Sequence, residues 1–166
     1  MTDITIEEHK IKRGESFRVC VNKNLSAGGT LTLHVSNPAN SGKDIVISRV
    51  KVTSPGPFTM RHPCGADYTA GTEAFIGNRR HGDGEPSSVV TAYQDSTWSN
   101  ANNVIEEYIG KDDSQPGSSD NSLGGQTSDP VGIVVEGGDY LIEVENRSGS
   151  TAYDASIRID FYESAT

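Results

Sequence analysis

Apolar residues in this chain recur at every second position, in short runs separated by glycine, proline and small polar residues. Leu31, Leu33 and Val35 alternate with Thr30, Thr32 and His34, which predicts a strand with one face in a core and one in water. Phe17, Val19 and Val21 share one parity in the same way, after a turn at Gly14-Glu15. Ile4 and Ile6, with Ile11 beyond the polar interruption Glu7-Glu8-His9-Lys10, suggest a first strand ahead of that turn. Ile45 and Ile47 share one parity, whereas Val50 and Val52 share the other. A regular strand would send these pairs to opposite faces. One extra residue near Ser48-Arg49, a β-bulge, keeps all four in the core.

The small polar residues 37–42 read as the loop of a β-hairpin, shaped by Pro38 and Gly42. Ser54-Pro55-Gly56-Pro57 ends the strand that follows. Residues 58–62, 73–77 and 88–93 are further candidate strands, and 103–109 is either a strand or a short helical turn. Residues 110–130, rich in Gly, Ser and Asp, read as a long exposed loop. Ile133 and Val135, then Tyr140, Ile142 and Val144, then Ala155, Ile157, Ile159 and Phe161 predict three strands of an antiparallel meander. About nine candidate strands with turn signals between them predict an all-β fold. The expected architecture is one domain over residues 1–166, an antiparallel two-sheet sandwich of jelly-roll type.

Composition narrows the partners. The formal net charge is −9 and the pI about 4.8, and no basic stripe is present, so nucleic acid is excluded as a partner. Arg79-Arg80-His81 is the densest basic cluster. Few lysines and an acidic excess suit a surface that stays soluble in high salt, although an ordinary acidic protein shares this balance. No apolar run reaches the length of a membrane helix, and residues 2–6 alternate without a basic start or an apolar stretch. The expectation is synthesis in the cytoplasm without a signal peptide.

Candidate chemistry is sparse. Ser41-Gly42-Lys43 lacks the glycine spacing and the Ser or Thr of a phosphate loop, and Asp44 would repel a phosphate. His62 and Cys64, with Cys20, His9, His34 and His81, do not form the paired short spacings of a zinc site. Asp112, Asp113 and Asp120, with Asp129, are calcium candidates without the alternate spacing of an EF-hand, and a solvated acidic loop accounts for them as well. Cys20 reads as a small buried residue on a strand and Cys64 as a turn residue; sequence alone does not decide whether they pair. No serine, histidine and acid stand out as a catalytic set, so no enzyme activity and no cofactor are expected. Asn24-Leu25-Ser26 and Asn146-Arg147-Ser148 match the glycosylation pattern, which without a secretory signal reads as chance. Trp98 lies among polar residues, where it is a sugar platform, a subunit contact, or folded back onto the core.

The phrase "VSNPANSGKDIVISRVKV" and the closing "GGDYLIEVENRSGSTAYDASIRIDFYE" resemble strands of small β-rich structural proteins of tailed bacteriophages and of tailed viruses of halophilic archaea. The resemblance covers about a third of the chain and carries no chemistry. It implies a virion protein, a capsid decoration or turret protein or a tail component, built as a symmetric homo-oligomer such as a trimer or pentamer. Its other partner would be the major capsid protein, with no membrane involved. The contact surface would include Ile4 and Ile6, the first strand pairing with a neighbouring copy, together with Tyr93 and Trp98. The rival reading is a carbohydrate-binding or host-adhesion module with Trp98, Tyr93 and the acidic loop as its face. A small hydrolase is a third.

Overall fold

The structure is a computed structural model and describes residues 5–82, 84–109, 119–123 and 133–165. It opens with a short helix, α1 (Ile6–Lys12), followed by β1 (Ser16–Leu25), β2 (Thr30–Asn37), β3 (Lys43–Ser54) and β4 (Phe58–Cys64). A long excursion then carries β5 (Asp67–Thr69), β6 (Thr72–Ala74), β7 (Ile76–Asn78), β8 (Thr91–Gln94) and β9 (Thr97–Ser99). The chain closes with β10 (Asn103–Ile109), β11 (Ser119–Leu123), β12 (Ile133–Val135), β13 (Gly138–Asn146) and β14 (Tyr153–Ala165).

All described pairings between strands are antiparallel. The first sheet runs β11-β3-β14-β1-β7, with β12 also beside β3, and the second runs β10-β4-β13-β2-β8-β6. Strands β11-β3-β14-β1 facing β10-β4-β13-β2 make an eight-strand jelly roll, as the strand pattern predicts. The excursion between β4 and β10 lengthens both sheets on one side, adding β7 to the first and β8 and β6 to the second.

The core lies between the sheets. Val19, Val21, Leu31, Leu33, Ile142, Val144, Ile157 and Phe161 are buried there, on the predicted parities. Ile45, Ile47, Val50 and Val52 are all buried too. The reason is a bulge: Asp160 pairs with Arg49 and Phe161 with Ile47, leaving Ser48 as the extra residue. The predicted bulge is where the alternation placed it.

Several expectations need correction. Residues 6–12 are helical, not a strand, because Thr5 accepts from Glu8 N–H and Glu8 returns the bond to Thr5 N–H. Ile6 is half-exposed there, and α1 docks on its own chain through Glu7–Arg79 and a Lys10 Nζ bond to the Glu163 carbonyl. Ile4 lies outside the described residues. Residues 37–42 are not a hairpin loop, since β2 and β3 belong to different sheets. They form an arch, held where Asn37 Nδ2 donates to the carbonyls of Lys43 (2.9 Å) and Val135 (3.1 Å). The closing meander fails for the same reason: β12 and β14 lie in one sheet and β13 in the other. Alternation fixes the face a side chain takes, but not the strand beside it. Finally, Cys20 is exposed, because Val19 and Val21 take the inward parity, and both cysteines are free thiols. Cys64 ends a strand and is half-buried.

Residues 103–109 resolve as a strand. The loop expected at 110–130 contains the strand Ser119–Leu123, paired with β3, and its remainder lies outside the described residues. Among the described residues, no helix is long and apolar enough to cross a membrane.

Candidate functional site

The excursion between β4 and β10 folds back onto the outer face of the second sheet. Its two-stranded ribbon, β5 with β9, sets Tyr68 directly opposite Trp98. Two non-glycine residues in the left-handed region, Asp95 (φ 59°) and Asn100 (φ 53°), flank β9 and turn the chain in and out of it. Gly71 lets the backbone approach closely, since a Cβ there would sit 2.0 Å from the Gln94 carbonyl oxygen.

Beneath the ribbon, His34 of β2 is buried between the rings of Tyr68 (5.1 Å) and Tyr93 (5.6 Å). Its Nε2 lies 2.7 Å from Asp139 Oδ1 and its Nδ1 lies 3.2 Å from Ser96 Oγ. An ionised carboxylate only accepts, so a neutral ring carries its hydrogen on Nε2 and Ser96 O–H donates to Nδ1. Gly71 N–H in turn donates to Ser96 Oγ at 3.1 Å. A serine, histidine and acid are thus brought together that sequence spacing did not reveal. Ser96 is only 3% exposed, and its oxygen already serves two partners, His34 Nδ1 and Gly71 N–H. The set works as a latch that pins the ribbon to the sheet.

Beside the latch, Trp98 lies half-buried against the outer face of the second sheet, outside the core between the sheets. Its Nε1 donates to Glu143 Oε2 at 3.0 Å. Arg61 holds the other oxygen of Glu143 at 3.0 Å and pairs with Glu145 (2.6 Å) and Glu106 (2.5 Å). Burial works against the Arg61 charge, but its bonds to Glu106, Glu145 and Glu143 outweigh it and hold the guanidinium above its ordinary pKa. Burial likewise opposes the charge on Glu145, and Arg61 and Arg147 more than restore it, so its pKa lies below the ordinary 4.5. A carboxylate depressed in the folded state stabilises above its unfolded pKa and loses that contribution as pH falls through the folded value. Unfolding free energy is therefore expected to hold near neutrality and to fall with acid below about pH 4.5, the ordinary value. Urea titrations from pH 7 to 3 check this, and Arg61→Gln should flatten the acid limb.

Trp98, Lys23, Thr30, Thr32, Asp95 and Glu143 line a groove of about 370 Å³. Lys23 from the first sheet reaches across to Asp95 at 3.0 Å. Tyr93 lies on the same outer face, against His34 and outside the residues that line this groove. The sequence offered only Trp98 and Tyr93 as signals here. Arg61, Glu143, Asp95 and Ser96 sit at polar positions that alternation assigns to water; the register of β4 with β13 sets Arg61 opposite Glu143, and the ribbon brings Asp95 and Ser96 beside them.

Two apolar patches mark the open sides of the sandwich. On the excursion's side, Phe75 is the single residue between β6 and β7, where the chain crosses from one sheet to the other, and it is 88% exposed. On the opposite side, β10 and β12 are edge strands that carry the exposed Ile105, Ile133 and Val134. A groove of about 410 Å³ joins β12 to the end of β4 there.

Of the calcium candidates, Asp112, Asp113 and Asp129 lie outside the described residues, and Asp120 is placed only as backbone on β11. Among the described residues, no three His, Cys, Asp or Glu side chains are grouped to hold a metal ion. No family model matches the chain, and no curated protein matches it.

Proposed function

We propose that this chain is a non-enzymatic structural subunit that closes into a symmetric ring, a trimer or pentamer, on the surface of a virus capsid. It would serve there as a decoration or turret protein, resting on the major capsid protein. The observation that carries this reading is the pair of unlike apolar patches on opposite sides of one sandwich. Phe75 stands out from one side, and Ile105, Ile133 and Val134 line the other. A contact between two different patches is heterologous, and it generates a ring when the rotation closes. In such a ring the Phe75 side chain, 88% exposed in the single chain, would be covered by the neighbouring copy.

The jelly roll is compatible with this role but does not decide it, because the same fold serves capsids and lectins. The resemblance of residues 33–52 and of the closing strands to virion domains supplies the setting. The charge of −9 opposes self-association in dilute buffer and is screened in molar salt, so the ring should be most complete in a saline medium.

Complementation tests the head-to-tail geometry. Phe75→Ser and Ile105→Ser each spoil one partner of every contact, so either variant alone should be monomeric. Mixed, they hold one intact pair between them, and a one-to-one dimer that grows no further is expected by native mass spectrometry. A mixture that stays monomeric, or variants that remain oligomeric alone, would contradict a heterologous ring.

A further inference from the structure

The groove beside Trp98 is not used by the ring contact, and its chemistry differs from both apolar patches. We propose that it is a binding site for a neutral carbohydrate, a mono- or disaccharide unit of a larger glycan. Its volume of about 370 Å³ falls in the range of small-molecule sites, at the lower end.

The polar groups are of the kind that sugar hydroxyls satisfy. Asp95 and Glu143 supply carboxylate acceptors, Thr30 and Thr32 supply hydroxyls, and Lys23 supplies an ammonium donor. A half-buried indole forms one wall, offering an apolar surface to the carbon face of a pyranose. These groups are held before any ligand arrives. Glu143 is fixed by Trp98 Nε1 on one oxygen and Arg61 on the other, so it keeps its place without a ligand. Asp95 is fixed by Lys23 and by a left-handed backbone that costs free energy, and such strain concentrates where geometry serves a function. A preorganised site loses less entropy on binding.

Charge selects among ligands. Two carboxylates face the groove against one lysine, which disfavours sulfated or carboxylated sugars. Asp95 is already bonded to Lys23, and Glu143 to Trp98 and Arg61 through its two oxygens, so neither carboxylate is open to bidentate ligation of a bare cation. A neutral polyol remains.

Trp98 is the one tryptophan in the chain, so its fluorescence reads the groove directly. The full-length protein would be titrated with neutral glucosyl, galactosyl, mannosyl and N-acetylglucosaminyl disaccharides. A sulfated disaccharide and lysine amide serve as contrasting probes. A saturable change in emission with at least one neutral sugar, in the millimolar range, is expected. Asp95→Gly, which removes the carboxylate yet suits the left-handed backbone, should weaken that affinity tenfold or more while the melting temperature stays near wild type. Phe75→Ser should bind the sugar as the wild type does, which separates this site from the ring. No saturable response to any neutral sugar would overturn the proposal. So would an equal response in Asp95→Gly, or a response only to the sulfated sugar or to lysine amide.

Discussion

Deletion of Ser48 is expected to leave the chain without a stable fold. Ile45 and Ile47 precede this residue, Val50 and Val52 follow it, and all four side chains are buried in one core. The extra residue resets the alternation between them, so that β14 pairs in register on both sides of it. Without it, β3 turns either the two isoleucines or the two valines toward water. Exposing two such side chains costs on the order of 4 kcal/mol by transfer alone. That is most of the net stability at the lower end for a single domain. Ser48→Ala is the control, because it keeps the bulge and loses only the Ser48 Oγ bond to the Asp160 carbonyl (3.1 Å). It should cost about 1 kcal/mol. Urea unfolding followed by circular dichroism separates the two, and a deletion as stable as Ser48→Ala would mean that the bulge is dispensable.

Asp160→Ala is expected to cost about 2 kcal/mol, the loss of charge-assisted hydrogen bonds from a fully buried carboxylate to a partly exposed arginine. The Asp160 side chain is 0% exposed, although it projects from the strand face opposite the core parity of Ile159 and Phe161. Arg18 from β1 covers it with two bonds, Nε to Oδ1 at 2.7 Å and Nη2 to Oδ2 at 3.0 Å. Arg158 stands 3.7 Å away. Its hydrogen bond to Asp160 holds the Arg18 guanidinium above its ordinary pKa. The Ala variant removes the anion that bonds Arg18 and lies nearest Arg158. Replacing both partners, as in Arg18→Met with Asp160→Val, should recover much of the loss, since well-packed apolar pairs often match a buried salt bridge. A double variant no better than Asp160→Ala would place the cost in packing and not in the orphaned charge.

These two variants also show where the sequence could be read and where it could not. Burial has a period of two in a strand, so Leu33, Val35, Ile157 and Phe161 announce their face, and the phase slip at Ser48 announces the bulge. Partnership has no such period. The steps β2 to β3 and β13 to β14 look like hairpins because their loops are short, yet each crosses between sheets. Asn37 stitches the first of these arches with two bonds to distant carbonyls, which no local pattern encodes. The helix α1 was legible in principle, since Thr5-Ile6-Glu7-Glu8 is a capping box, but the spacing of Ile4 and Ile6 favoured a strand.

The candidate site was nearly silent for a different reason. Its residues come from β1, β2, β4, β9, β13 and the turn before β9, and each occupies an ordinary surface position in its own segment. Only Trp98, a large aromatic among polar neighbours, and Tyr93 gave a signal. Phe75 was misread with its neighbours as one strand, whereas it is the corner between β6 and β7. The features on which a role can be argued, the latch, the groove and the exposed aromatic, are all built by the excursion between β4 and β10. The jelly roll supplies the frame, and this insertion distinguishes the chain.

The central claim is that the two open sides of the sandwich meet one another in a closed ring. Light scattering of the purified wild-type protein, coupled to size exclusion in low salt and in molar salt, measures this most directly. A single species with the mass of a trimer or pentamer, more complete in molar salt and reduced to monomer by Phe75→Ser, is the predicted result. A monomer at both salt concentrations would contradict it.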